Sequence, residues 1–241
     1  MPRKPFSAAV LATLALAGLA AVAAETTVRA RVDHIVLGVS DLDRAVQDFE
    51  RMTGVRPVPG GKHPAGTHNA LVSLGDRIYL ELLAVQPGAT PPEHLRALAG
   101  LRRPTPIAWA VTSDDGAGLQ SALTAAKFSL TERKAGSRTT PDGATLHWET
   151  FGLTTEWPEA PFFILWSPET PHPSKTSPSG CIVRRFAISS PRRGEMERLR
   201  KTLGLRIEVN QATEAAMRIE LAGPKGSVVF ESGRRSLQPD V

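Results

Sequence analysis

The feature that most constrains this chain is an order of elements that recurs three times: a β-branched strand runs into a helix and then into three more strands. The first unit opens at Val32-Asp33-His34-Ile35-Val36-Leu37-Gly38-Val39, a strand by composition. Ser40 and Asp41 offer caps for a helix whose buried face is Leu42, Ala45, Val46, Phe49 and Met52, and Gly54 stops it. A strand over 55–58, a Gly/Pro/His loop over 59–66, and strands over 69–74 and 77–85 complete the unit. The second unit has a strand over 106–111, a helix capped by Asp114 or Asp115, and strands over 129–134, 144–151 and 162–166. The third has a strand over 182–188, a helix carrying Met196, Leu199 and Leu203, and strands near 205–209, 216–221 and 227–232. Units one and three share a spacing: Gly54 to Glu81 and Gly204 to Glu231 are both intervals of 27 residues. Ile78-Tyr79-Leu80-Glu81 thereby falls on Val228-Val229-Phe230-Glu231. Between the units lie a connector helix with a capping box, Thr90 to Glu93, and a Pro-rich loop over 167–180.

Composition narrows the function classes. At 41% hydrophobic and 22% charged residues the chain is that of a folded domain. One Cys excludes an intrachain disulfide framework and any cysteine-rich zinc site. No Lys/Arg-rich block and only 13 aromatics make nucleic acid a poor partner. Arg3 and Lys4 precede an uncharged run over 6–24 that ends in Ala21-Val22-Ala23, which reads as a signal peptide, 1–23, cleaved near Ala23. The rival reading is an uncleaved anchor. Cleavage takes the net charge from +5 to +3. The expected organisation is a leader, a short tail over 24–31, a domain over 32–232 with units at about 32–85, 106–166 and 182–232, and a tail over 233–241. The expected location is periplasmic or secreted, with no membrane contact after cleavage.

Three stretches carry a family resemblance: Asp33-His34-Ile35-Val36 in a first strand with Tyr79-Leu80-Glu81-Leu82 in a fourth, the run Gly60-Gly61-Lys62-His63 with Gly66 to Gly75, and Pro161 to Trp166. They resemble the vicinal oxygen chelate superfamily, in its glyoxalase-like branch. The resemblance implies an α+β fold of repeated β-α-β-β-β units whose mixed sheet curls into a cup, as in glyoxalase, bleomycin-resistance and dihydroxybiphenyl-dioxygenase folds. It implies a small-molecule ligand, one divalent metal (Zn, Mn, Ni or Fe) or none, and a homodimer. Two functions follow: a metal-dependent lyase, isomerase or dioxygenase, and a metal-free binding or sequestration protein. Carried over by position, the metal ligands are His34 and Glu81, with Glu231 as a third; unit two places Pro106 and Ile164 there, which cannot ligate.

The remaining polar candidates lie in and after the Gly-rich loop. His63, His68 and Asn69 could line the mouth of a cup, with His68 as the proton-transferring residue. His147 alternates with Thr145 and Glu149 on one strand face, which is either a pocket wall or the solvent face. Cys181 reads as a buried structural thiol, and His172, in the Pro-rich loop, has no assigned role.

Overall fold

Strands that alternate inward and outward side chains can serve two interiors at once, and the first two units do so. The computed structural model describes residues 28–91, 93–155 and 157–232. The expected leader, 1–23, and tail, 233–241, lie outside the described residues. Unit one comprises β1 (Ala30–Gly38), α1 (Leu42–Thr53), β2 (Val58–Lys62), β3 (Thr67–Gly75) and β4 (Ile78–Val85). A 3₁₀ helix over Glu93–Gly100 leads to β5 (Thr105–Ser113), α2 (Gly116–Ala125), β6 (Lys134–Thr139), β7 (Thr145–Gly152) and β8 (Phe162–Trp166). After the one-turn α3 (Pro173–Thr176) come β9 (Ile182–Ser190), α4 (Arg193–Thr202), β10 (Glu208–Gln211), β11 (Ala216–Gly223) and β12 (Gly226–Glu231).

Units one and two close into an eight-stranded barrel of order β1-β4-β3-β2-β6-β7-β8-β5. In each half the first strand lies parallel beside the fourth, and the third and second follow antiparallel. The halves meet unequally. β1 and β5 pair antiparallel over eight residue pairs, whereas β2 meets β6 at one, Lys62 with Thr139. The third unit keeps the β-α-β-β-β order along the chain but not the pairing. Its first strand lies parallel beside its second, giving a separate sheet of order β10-β9-β11-β12. The equal Gly-to-Glu spacing therefore does not make unit three a structural copy of unit one.

The main core lies outside the barrel. Ile35, Leu37, Leu80, Leu82, Ala70, Val72, Trp109 and Val111 face outward and pack with the buried faces of α1, α2 and α4. The third unit covers this layer: Phe230 stacks on Phe49 at 6.0 Å and Phe186 meets Trp109 edge-on at 5.4 Å. Asp41 caps α1 by accepting the Arg44 N–H at 3.0 Å, and Gly54 ends it at φ 83°. Met52, expected on the buried face, is 37% exposed; Thr53 is buried instead and bonds the Phe49 carbonyl at 2.8 Å. The second strand of every unit starts later than its apolar residues suggest. Val55, Leu205 and Ile207 are buried but precede their ladders, and 129–134 holds only the isolated Leu130–Leu153 bridge before β6. Hydrophobicity there marks burial, not pairing. No helix among the described residues is long and apolar enough to cross a membrane.

Part of the expected 59–66 loop is thus strand β2, and Gly61 is needed at the seam. It sits at φ +139°, and a Cβ there would lie 2.1 Å from the Thr139 carbonyl oxygen. Gly61→Ala is expected to cost on the order of 1–3 kcal/mol, read as a lowered midpoint in a thermal melt monitored by circular dichroism. An unchanged midpoint would refute the close-approach account.

Candidate functional site

The inward faces of the barrel strands surround a cavity of about 330 Å³. Its walls are mostly apolar: Leu83, Leu95, Ile107, Ala108, Phe162 and Ile164, with Trp148 and Trp166. Into this setting project His34 from β1, Thr67 and Asn69 from β3, Tyr79 and Glu81 from β4 and Arg138 from β6, joined near the mouth by His63.

A backbone irregularity builds the centre. Between Val32 and His34 the β1–β5 register slips, so β1 spends two residues where β5 spends one. This bulge at Asp33 turns its side chain toward the same polar centre as His34, which strict alternation would forbid. Asp33 is fully buried, and its Oδ1 lies 2.6 Å from His34 Nδ1. Its Oδ2 accepts from Trp166 Nε1–H at 3.1 Å and from His172 Nε2 at 3.0 Å. The His172 tautomer follows from its other nitrogen: Nδ1 accepts the Ser174 backbone N–H at 3.2 Å, so Nε2 carries the proton. Burial pushes the Asp33 carboxyl upward, but hydrogen bonds from His172 and His34 and their charges outweigh it and hold its pKa at about 2. An ionised Asp33 fixes His34 with Nδ1 as donor and leaves Nε2 directed at the cavity.

On the cavity side, His34 Nε2 lies 3.7 Å from Glu81 Oε2, too far for a hydrogen bond. Glu81 Oε1 accepts from Asn69 Nδ2 at 2.7 Å, and Asn69 Oδ1 accepts from Arg138 at 3.1 Å. Arg138 is only 4% exposed. Gly60 makes the last contact sterically feasible, since a Cβ there would fall 2.2 Å from the guanidinium and 2.3 Å from Asn69 Oδ1. Tyr79 stacks on the His34 ring at 4.5 Å, and Phe162 closes its edge at 5.4 Å. Burial, then the charges of Asp33 and Glu81, raise the Tyr79 hydroxyl well above its ordinary range, so it stays neutral. His63 bonds Thr67 Oγ1 through Nδ1 at 3.0 Å, and desolvation lowers its pKa.

The expected site residues divide. His34, Glu81, Asn69 and His63 share the cavity. His68 does not: on β3 it alternates with the inward Thr67 and Asn69, so it projects from the outer face, with Asp43 and Lys62 as charged neighbours. His147 is exposed beside the inward Trp148 and borders only an outer groove. Glu231 ends β12 in the other sheet, exposed and paired with Arg218 at 3.0 Å. Asp33, Tyr79, Arg138 and His172 are site residues to which sequence reasoning gave no role. Asp33 stands next to His34, and regular strand alternation would send the two to opposite faces. Nothing in the 139-residue separation linked it to His172.

A family-type metal centre can be tested on these donors. One half of the barrel offers His34 Nε2 and Glu81, the latter already bonded to Asn69. The other half presents Ala108, Phe162 and Ile164, and Arg138 brings a positive charge into the same space. Among the described residues no group of three His, Cys, Asp or Glu comes together in a way that could hold an ion. His34 and Glu81 face hydrocarbon across the cavity and His63 stands at its mouth without completing a cluster, which does not fit a site that needs three or four convergent donors.

The paired β-α-β-β-β halves closed around a polar interior define a vicinal-oxygen-chelate fold. The glyoxalase-like domain model matches residues 32–204, more than half of the chain, and the protein belongs to that family. No curated protein sequence matches it. A hypothetical protein from Staphylococcus aureus shares the fold, with 17% identity, TM-score 0.58, and 84% of this chain and 85% of that one covered. Methylmalonyl-CoA epimerase from Mycobacterium tuberculosis aligns at 17% identity and TM-score 0.41, covering 57% of this chain and 89% of that one. A mutant 4-hydroxymandelate synthase from Streptomyces coelicolor aligns at 13% and 0.44, covering 88% and 65%.

The Asp33 carboxylate gives the site a pH signature. Its folded pKa is depressed below the ordinary 3.8, so its stabilisation is present above about pH 4 and is lost as pH falls through about 2. Asp33→Asn is expected to lower stability by on the order of 2 kcal/mol at neutral pH. The gap from the parent protein should close between pH 4 and 2 in denaturant titrations. A gap that does not vary with pH would contradict this assignment.

Proposed function

We propose that the protein binds a small organic molecule bearing a carbonyl or carboxylate in the barrel cavity and moves a proton on it, as an isomerase or lyase, without a divalent metal. The observation that carries this reading is the geometry of His34. One nitrogen is anchored 2.6 Å from a buried carboxylate, and the other faces the cavity 3.7 Å from Glu81. Asp33 orients the ring and stabilises the imidazolium that forms when Nε2 takes a proton, the role a buried aspartate plays beside any general-base histidine. Glu81 stands where it can return or receive that proton. Arg138 supplies a positive charge for a carboxylate or for an oxyanion developing on the ligand, in surroundings where few waters screen it. The apolar walls suit the hydrocarbon part of such a molecule.

The test is deuterium wash-in from D₂O, followed by ¹H NMR, across a panel of 2-oxo acids and α-hydroxy ketones. The expected outcome is catalysed exchange at the carbon next to the carbonyl with at least one panel member. His34→Gln and Glu81→Gln should each slow it by about 10²- to 10⁴-fold. Binding without exchange would overturn the catalytic reading and leave the sequestration alternative.

We also propose export, on the strength of Arg3, Lys4, the apolar run and Ala21-Val22-Ala23. Expression of the full chain in a bacterium should give periplasmic protein whose intact mass begins at Ala24. Full-length protein in the cytoplasm would refute it.

A further inference from the structure

The cavity does not end at the barrel wall. A groove of about 480 Å³ runs along the outside of the β2–β6 seam, and His63, Thr67 and Trp148 line both spaces. The seam has one residue pair, so beyond Lys62 and Thr139 the two strands diverge. Pro64 and Ala65 form one bank of the gap and Ala135 to Ser137 the other. Gly136 lets Trp148 lie in the gap, because a Cβ there would come within 2.2 Å of the indole nitrogen. The indole is held edge-on to Trp166 at 5.3 Å and to the His63 ring at 6.3 Å. Among the described residues no Asp, Glu, Lys or Arg lines the groove, and its two histidines are its only titratable side chains. His147 is exposed, and His63, bonded to Thr67, faces the charges of Glu81, Arg138, His34 and His68. An uncharged channel with an indole floor, opening into a cavity that holds a guanidinium and an acid–base pair, is asymmetric in a way that specifies its occupant.

We infer that the ligand has two parts, a carboxylate or carbonyl head inside the barrel and an uncharged, largely apolar or aryl tail in the seam groove, with His63 and Trp148 gripping the junction. The head assignment rests on the function proposed above; the tail rests on the groove alone. The tail also explains why the barrel tolerates so poor a closure at β2–β6: the gap is the passage.

Four probes test this on the purified protein by Trp fluorescence and calorimetry: acetate, 4-phenylbutyrate, 8-phenyloctanoate and the neutral 8-phenyloctan-1-ol. The expected result is that affinity rises at least about tenfold along the carboxylate series. The alcohol should also bind, more weakly than the acid of equal length. Ala135→Trp and Ala65→Trp each put a bulky ring into the groove from opposite banks, at exposed positions. In either variant the affinity ratio of long to short acid should collapse toward one and the alcohol should stop binding, with circular dichroism confirming the fold. A parent protein without gain from tail length, or variants that keep the parent ratio, would overturn the groove assignment. Alcohol and acid binding equally, both lost in the variants, would overturn the head assignment and leave the groove standing. Failure of every probe would overturn both.

Discussion

The Asp33 carboxylate is fully enclosed, yet it is ionised because three rings from three parts of the chain point hydrogen-bonding nitrogens at it: His34 beside it on β1, Trp166 at the end of β8, and His172 in the Pro-rich loop. A buried charge with one partner fewer would be costly, so these contacts act as a set. Through them the carboxylate joins the two halves of the barrel and ties down the connection to the third unit. It also fixes which His34 nitrogen reaches the cavity. The Asp33–His34 contact sets the orientation of the ring, and Glu81, Asn69 and Arg138 form a second hydrogen-bonded chain on the cavity side. His34 Nε2 and Glu81 Oε2 face each other across 3.7 Å where the two sides meet.

The barrel wall separates two interiors with different chemistry. Outward residues such as Ile35, Leu82 and Trp109 make the apolar layer shared with the helices and the third unit. Inward residues one position away line the cavity, where a few polar side chains are set among apolar walls. The third unit therefore contributes to the site indirectly, by burying the outer layer that holds β1, β4 and β5 in place.

Much of this was legible in the sequence. Strand and helix positions followed from β-branched runs, caps and 3.6-residue spacing, and the Asp-His-Ile-Val and Tyr-Leu-Glu-Leu signatures pointed to the fold and to the His34–Glu81 pair. What was not legible has physical reasons. The 27-residue interval records order along the chain, whereas which strands become neighbours is settled by packing, and Glu231 consequently sits on a solvent-facing ion pair with Arg218. His68 and Asn69 are adjacent, so alternation sends only one of them inward; here Asn69 has Arg138 and Glu81 to satisfy it. A bulge is a local exception to alternation, and nothing in the residues around Asp33 announced one. His172 became important only through a contact across most of the chain.

The unequal joints between the barrel halves have a mechanical meaning. Eight residue pairs bind β1 to β5, and one binds β2 to β6. The molecule is built like a clasp, stiff along its spine and loose at its lip. His34 and Asp33 ride on the spine, so their contact is held by the better-paired joint, while His63 and Trp148 border the weaker one. A substitution at the lip therefore reshapes the mouth of the cavity while leaving in register the backbone that carries the Asp33–His34 contact.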